Sequence, residues 1–109
     1  MATPQEKLTR ERAGRARAIA RAGSIEKALA AGNLSRVIDT TLSEALVLGL
    51  LRQGVEKFLC VLGHGSTEVG EVLRVYQEAG LVRACGVRSE IEASHAATAL
   101  RWVTGEKAA

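Results

Sequence analysis

Aromatic side chains are nearly absent: the chain holds one Trp, one Tyr and one Phe, 3% of its residues. Any core it builds is therefore aliphatic, and no rings are interleaved with its basic residues for bases to stack on. Long apolar runs are missing too. No stretch approaches the ~20 residues that span a bilayer, and the N-terminus carries no hydrophobic signal region, so the expected location is cytoplasmic, away from membranes. Cysteine occurs twice, as Cys60 and Cys85, with neither a CxxC pair nor a Cys/His cluster, which argues against a zinc site. Both fall in apolar runs, where thiols are usually inert packing groups of a reducing compartment. Were those runs parallel neighbours, the sulfurs could approach one another, but sequence gives no bridging distance.

What is present suffices for one domain. A chain of 109 residues, 47% of them hydrophobic, can bury roughly 65% of its unfolded surface. Its charge is divided unevenly. Residues 1–36 carry eight Lys/Arg against three Glu, a balance of +5, whereas residues 37–109 carry seven against nine, a balance of −2. The basic part reads as helical: Thr3-Pro4-Gln5-Glu6 combines a capping box with proline at the first helical position, and the run through Ala22 is rich in Ala, Arg and Glu. Gly23 stops that helix, Ser24 caps a second from Ile25 to Ala31, and Gly32 stops the second. Arg10, Arg17 and Arg21 share a face, the footprint a nucleic-acid binder would show. Glu6 with Arg10 and Lys7 with Glu11, however, have the spacing of ordinary helical ion pairs, so a solvated face or a partner-docking extension is the preferred reading.

From Thr41 the composition changes. Thr41 and Glu44 have capping-box spacing, and the apolar run from Ala45 to Leu51 predicts a helix buried on most of its circumference and stopped at Gly54. Phe58 to Leu62 predicts a short strand covered on both faces, as in a parallel sheet. Glu68 to Ala79 sets Val69, Val72, Leu73 and Tyr76 on one helical stripe, Gly80 ends it, and Leu81 to Val87 gives a second strand. Strand, helix and strand with short connections predict a right-handed βαβ unit. The turn Gly63-His64-Gly65-Ser66 fits neither a P-loop nor a dinucleotide fingerprint, and no Lys follows it. Ser89 then caps a last helix with Glu92 at capping-box spacing, Glu90 is its first residue, and Thr104-Gly105 closes it. The carboxylate of Glu90 is thereby placed where a strand passes into a helix, the edge at which open α/β sheets hold ligands.

Over roughly 60 residues this order resembles the start of the pyrimidine-binding domain of thiamine-diphosphate-dependent enzymes, the acetolactate synthase and decarboxylase superfamily. The pattern is carried by Gly54-Val55, the strand from Phe58 to Leu62, the Gly63–Ser66 turn, the helix from Glu68 to Ala79, the strand from Leu81 to Val87, Arg88-Ser89-Glu90 and Thr104-Gly105. Ser89 stands where the family often has His, and Gly65 where it often has Pro. The Gly63-His64-Gly65 form is most similar to the branch that hydrolytically opens cyclic diketones, typified by trihydroxycyclohexanedione hydrolase.

The resemblance implies an α/β fold with a parallel sheet over residues 41–109, preceded by a basic helical extension over residues 1–40. It implies that Glu90 hydrogen-bonds the N1′ ring nitrogen of the cofactor's aminopyrimidine, with Gly63 and Gly65 lining the cofactor and His64, Ser66 and Thr67 on the substrate side. That role needs a carboxyl holding a proton near neutral pH. A helix N-terminus works against it by about 0.3–1 kcal/mol, while full burial works for it by up to ~3–5 pKa units. His95 is read as packed or interfacial. The implied reaction is cleavage or formation of a C–C bond in a 2-keto acid or cyclic diketone. The family binds the diphosphate and its Mg²⁺ through a Gly-Asp-Gly motif with a later Asn, which this sequence lacks, so the remaining domains or a second subunit would complete the site. The chain is expected to stop where a third strand would begin, and two unpaired strand edges favour a homo-oligomer. The rival reading is a noncatalytic helical assembly module or split subunit without cofactor chemistry, and a nucleic-acid binder is the least favoured.

Overall fold

Side-chain caps start four of the five helices, and a left-handed glycine follows the end of each. The computed structural model describes residues 1–109 and contains five helices and three strands. Helix α1, Pro4–Ala22, starts on the full Thr3/Glu6 capping box and ends at Gly23. Helix α2, Ile25–Ala30, is capped by the Ser24 hydroxyl. Helix α3, Leu42–Arg52, is capped by Thr41, and strand β1, Val55–Cys60, follows directly. Helix α4 spans Thr67–Glu78, strand β2 Arg83–Gly86 and helix α5 Glu90–Thr104. Strand β1 thus begins three residues before the expected Phe58 and stops before Val61, because the chain turns into the glycine loop there. Strand β2 is shorter than Leu81–Val87 at both ends.

A third strand is present. Strand β3, Lys107–Ala108, pairs parallel to β1, with Ala109 donating to the Lys57 carbonyl and accepting from the Leu59 amide. The sheet order is β2-β1-β3, all parallel. From β1 the chain crosses through α4 to one side, and from β2 it crosses back through α5 to the other. Right-handed crossovers in opposite directions put α4 and α5 on opposite faces.

The two faces are not covered equally. On one, α1, α2, α3 and α4 enclose a single cluster that includes Ala16, Ile19, Ala28, Val47, Val72, Leu73 and Tyr76. Residues from the basic stretch and from the sheet region share this core. The expected stripe of α4 is seen, with Val72, Leu73 and Tyr76 buried and Val69 packed beside them. The expectation for α3 is corrected: only Glu44 and Val47 are buried, while Leu42 and Leu46 face solvent. An apolar run over-predicts burial when a helix is covered from one side only. On the other face α5 lies over β1 and β3 and has no buried residue.

Cys60 and Cys85 lie on adjacent strands, but Cys60 pairs with Gly86 and Cys85 with Leu59. That offset of one residue turns the two thiols to opposite faces, and both are free. Partial burial, with a smaller contribution from Cys85, pushes the Cys60 thiol up, away from a reactive thiolate. No helix is long and apolar enough to cross a membrane.

Candidate functional site

Strands β1 and β2 are neighbours whose outgoing helices leave on opposite faces. Their carboxyl ends lie on one edge of the sheet, the edge at which open α/β folds hold ligands. Two loops meet that edge: residues 61–66 after β1 and residues 87–89 after β2. The second delivers Glu90. Ser89 caps α5 by accepting from the Glu92 amide, and the Glu92 carboxylate returns to the amide of Arg88, one residue before its expected partner, at 3.2 Å. The cap is thus built by Ser89 and Glu92, and Glu90 has no part in it.

Glu90 is exposed and belongs to none of the chain's ion pairs, including any with Arg88. The sheltered carboxyl foreseen from sequence is not formed by these residues. Val61 and Leu62 in the loop after β1, and Ile91 in the first turn of α5, are exposed.

The glycine turn is closed by its own hydroxyls. Ser66 Oγ accepts from the Gly63 amide at 2.9 Å and donates to the Gly63 carbonyl at 3.1 Å, and Thr67 Oγ donates to the same carbonyl at 3.1 Å. Ser66 and Thr67, expected on the substrate side, are in this state engaged with the loop. His64 stands exposed at the turn without a hydrogen bond, and His95 is likewise exposed rather than packed. Gly65 has φ +91°, outside the range near −65° to which proline is locked, so proline could not replace it in this turn.

The most heavily bonded carboxylate was not foreseen as such. Glu44 is 0% exposed beside Arg12 at 2%. Arg15 Nη2 and Nε donate to its two oxygens at 2.6 and 2.9 Å, Arg12 Nε at 3.4 Å, Tyr76 Oη at 2.9 Å, and the Thr40 hydroxyl also donates. Burial by itself would push this carboxyl up. The hydrogen bonds from Arg15, Thr40 and Tyr76, with the Arg15 charge, outweigh burial and hold it down at about 2. In return Glu44 raises Arg15, chiefly through that hydrogen bond, and Tyr76 is raised by burial and by the neighbouring carboxylate. Thr41 and Glu44 therefore form half a capping box: Thr41 Oγ accepts from the Glu44 amide, but the carboxylate is drawn into the core instead of back to the cap. No buried side-chain polar atom of the cluster is left without a partner, and the cluster acts as a fastener between α1, α3 and α4.

A cavity of about 120 Å³ lies at the opposite, amino edge of the sheet, lined by Ile19, Ile25, Leu51, Arg52, Glu56 and Leu81 among others. Its cation is already met, since Arg52 pairs with Glu26 at 2.6 Å. No group of three or more His, Cys, Asp or Glu is arranged to hold a metal ion. Comparison with family models, with curated proteins and with solved structures returned no match.

Proposed function

We propose that this chain supplies the pyrimidine side of a thiamine-diphosphate site, in an enzyme that breaks or makes a C–C bond beside the carbonyl of a 2-keto acid or cyclic diketone. The reading rests on the sequence resemblance through Arg88-Ser89-Glu90. The single observation that best supports it is an unpaired carboxylate on the first turn of α5, at the carboxyl edge of a parallel sheet. A carboxylate with no partner in its own chain is free to bond a ring nitrogen.

Bound there, the cofactor would supply a nucleophilic carbon that adds to the substrate carbonyl. The chain's own residues have narrower tasks. Glu90 would hold a proton at the aminopyrimidine N1′, which requires its removal from water, since burial is what raises a carboxyl by up to ~3–5 units. In this chain Glu90 lies open, so the cover has to come from the remaining domains or a second subunit. His64, exposed in the loop after β1, would be the chain's proton donor or acceptor on the substrate side. The diphosphate and Mg²⁺ have no candidate ligands here and would be held by the completing polypeptide.

The test is turnover of a 2-keto acid or cyclic diketone by the full assembly with thiamine diphosphate and Mg²⁺. Glu90→Gln is expected to lower kcat by about 10²–10⁴, the range for a lost proton-transfer group. Undiminished turnover would defeat the proposal. A second reading, an assembly module without cofactor chemistry, is favoured by one observation, the open outer face of α5.

A further inference from the structure

The side of α5 turned away from the sheet is a single stripe. Ile91, His95, Thr98 and Trp102 recur at i, i+4, i+7 and i+11, and all four are exposed, Ile91 and Trp102 at 73% and 85%. The stripe is also self-complementary. Its midpoint falls between Ala96 and Ala97, and reversal about that point exchanges Ile91 with Trp102 and His95 with Thr98. Glu90 and Arg101 each precede one of the apolar residues by a single position, so they run along the same margin, and reversal brings each to within two residues, about 3 Å along the axis, of the other. Near the midpoint Ser94 and Ala99 are small enough to let a second helix come close.

A surface that matches its own reversal fits a twofold-related copy of itself. We infer that α5 is a self-association surface, on which a second copy of this chain docks its own α5 antiparallel. Trp102 of each copy covers Ile91 of the other, the helix dipoles oppose, and Glu90 faces the other copy's Arg101. Two helices meeting along one stripe bury less than the roughly 800 Å² per partner of a standard interface, so the dimer is weak and reversible. Glu90 serves either that arginine or the cofactor nitrogen. Trp102 lies outside the cofactor proposal, and its variants therefore report on this surface alone.

Sedimentation of the 109-residue chain over a concentration series tests the inference. The wild-type chain is expected to dimerise as concentration rises. Trp102→Glu is expected to stay monomeric with an unchanged circular dichroism spectrum and melting curve, because the side chain it replaces is already in water. Arg101→Glu and Glu90→Arg, each alone, are expected to weaken association about tenfold, and an equimolar mixture of the two to restore it. A wild-type chain that is monomeric throughout, a dimer that survives Trp102→Glu, or a mixture no tighter than its separate components would overturn it.

Discussion

Two glutamates occupy nearly the same place in two helices and live opposite lives. Glu44, in the first turn of α3, is fully buried and accepts from two arginines, a threonine and a tyrosine. Glu90, in the first turn of α5, is exposed and unpaired. The difference comes from what lies across from each helix. Helix α3 faces α4 and the arginine-rich α1, whereas the outer face of α5 has nothing above it. One carboxylate is thus committed to holding the fold together, and the other is left available for chemistry or contact. It follows that removing the first should damage stability and spare nothing, and that removing the second should damage function and little else.

The sharpest way to break that contrast is Glu44→Ala. It leaves Arg12 buried without its anion, and uncompensated buried charges of this kind cost about 3–5 kcal/mol. Urea unfolding should show the loss, and a drop below 1 kcal/mol would mean that the cluster relaxes into water. Acid comes next. A carboxyl held at about 2 in the fold, against an ordinary value of 4.5, stabilises the protein fully above 4.5 and progressively less as pH falls toward 2. The loss across that window should be on the order of 3 kcal/mol, seen as a falling melting temperature, and Glu44→Gln should flatten it. Tyr76→Phe removes one hydrogen bond to the buried anion and should cost about 1.5–3 kcal/mol by the same unfolding assay. Gly65→Ala forces a side chain into the left-handed region at φ +91° and should cost about 1 kcal/mol, with amide exchange quickening in the 61–67 loop. The smallest effect belongs to Glu90→Gln, whose stability should stay within about 0.5 kcal/mol of wild type.

Sequence made one of these glutamates legible and concealed the other. The caps at Thr3, Ser24, Thr41 and Ser89 are local devices, written in three or four consecutive residues, and each sits where its spacing placed it. The same holds for the α4 stripe and for the parallel β1-α4-β2 unit. Glu44 was concealed because its partners Arg12, Arg15 and Tyr76 lie 32, 29 and 32 residues away, while the capping-box spacing offered a sufficient local explanation. One signal did exist: a lone acid set in the apolar run Leu42–Leu51, with more arginine in α1 than its own acids could neutralise. Strand β3 is two residues long and carries no periodicity to detect. The openness of α5 was hidden for another reason, since an alanine-rich helix reads the same whether one side of it is covered or two. The corresponding requirement of the cofactor proposal, a carboxyl kept from water, is not met by Glu90 as it stands exposed in residues 1–109.

The most direct test of the contrast is the turnover per folded molecule of the completed enzyme carrying Glu90→Gln, measured with thiamine diphosphate and Mg²⁺ and set beside its melting curve. The expected result is a kcat lowered by at least about 10² on an unshifted melt. Full turnover on an unshifted melt would show that this carboxylate has no catalytic task, and a melt lowered as far as that of Glu44→Ala would show that the two glutamates do not differ in kind.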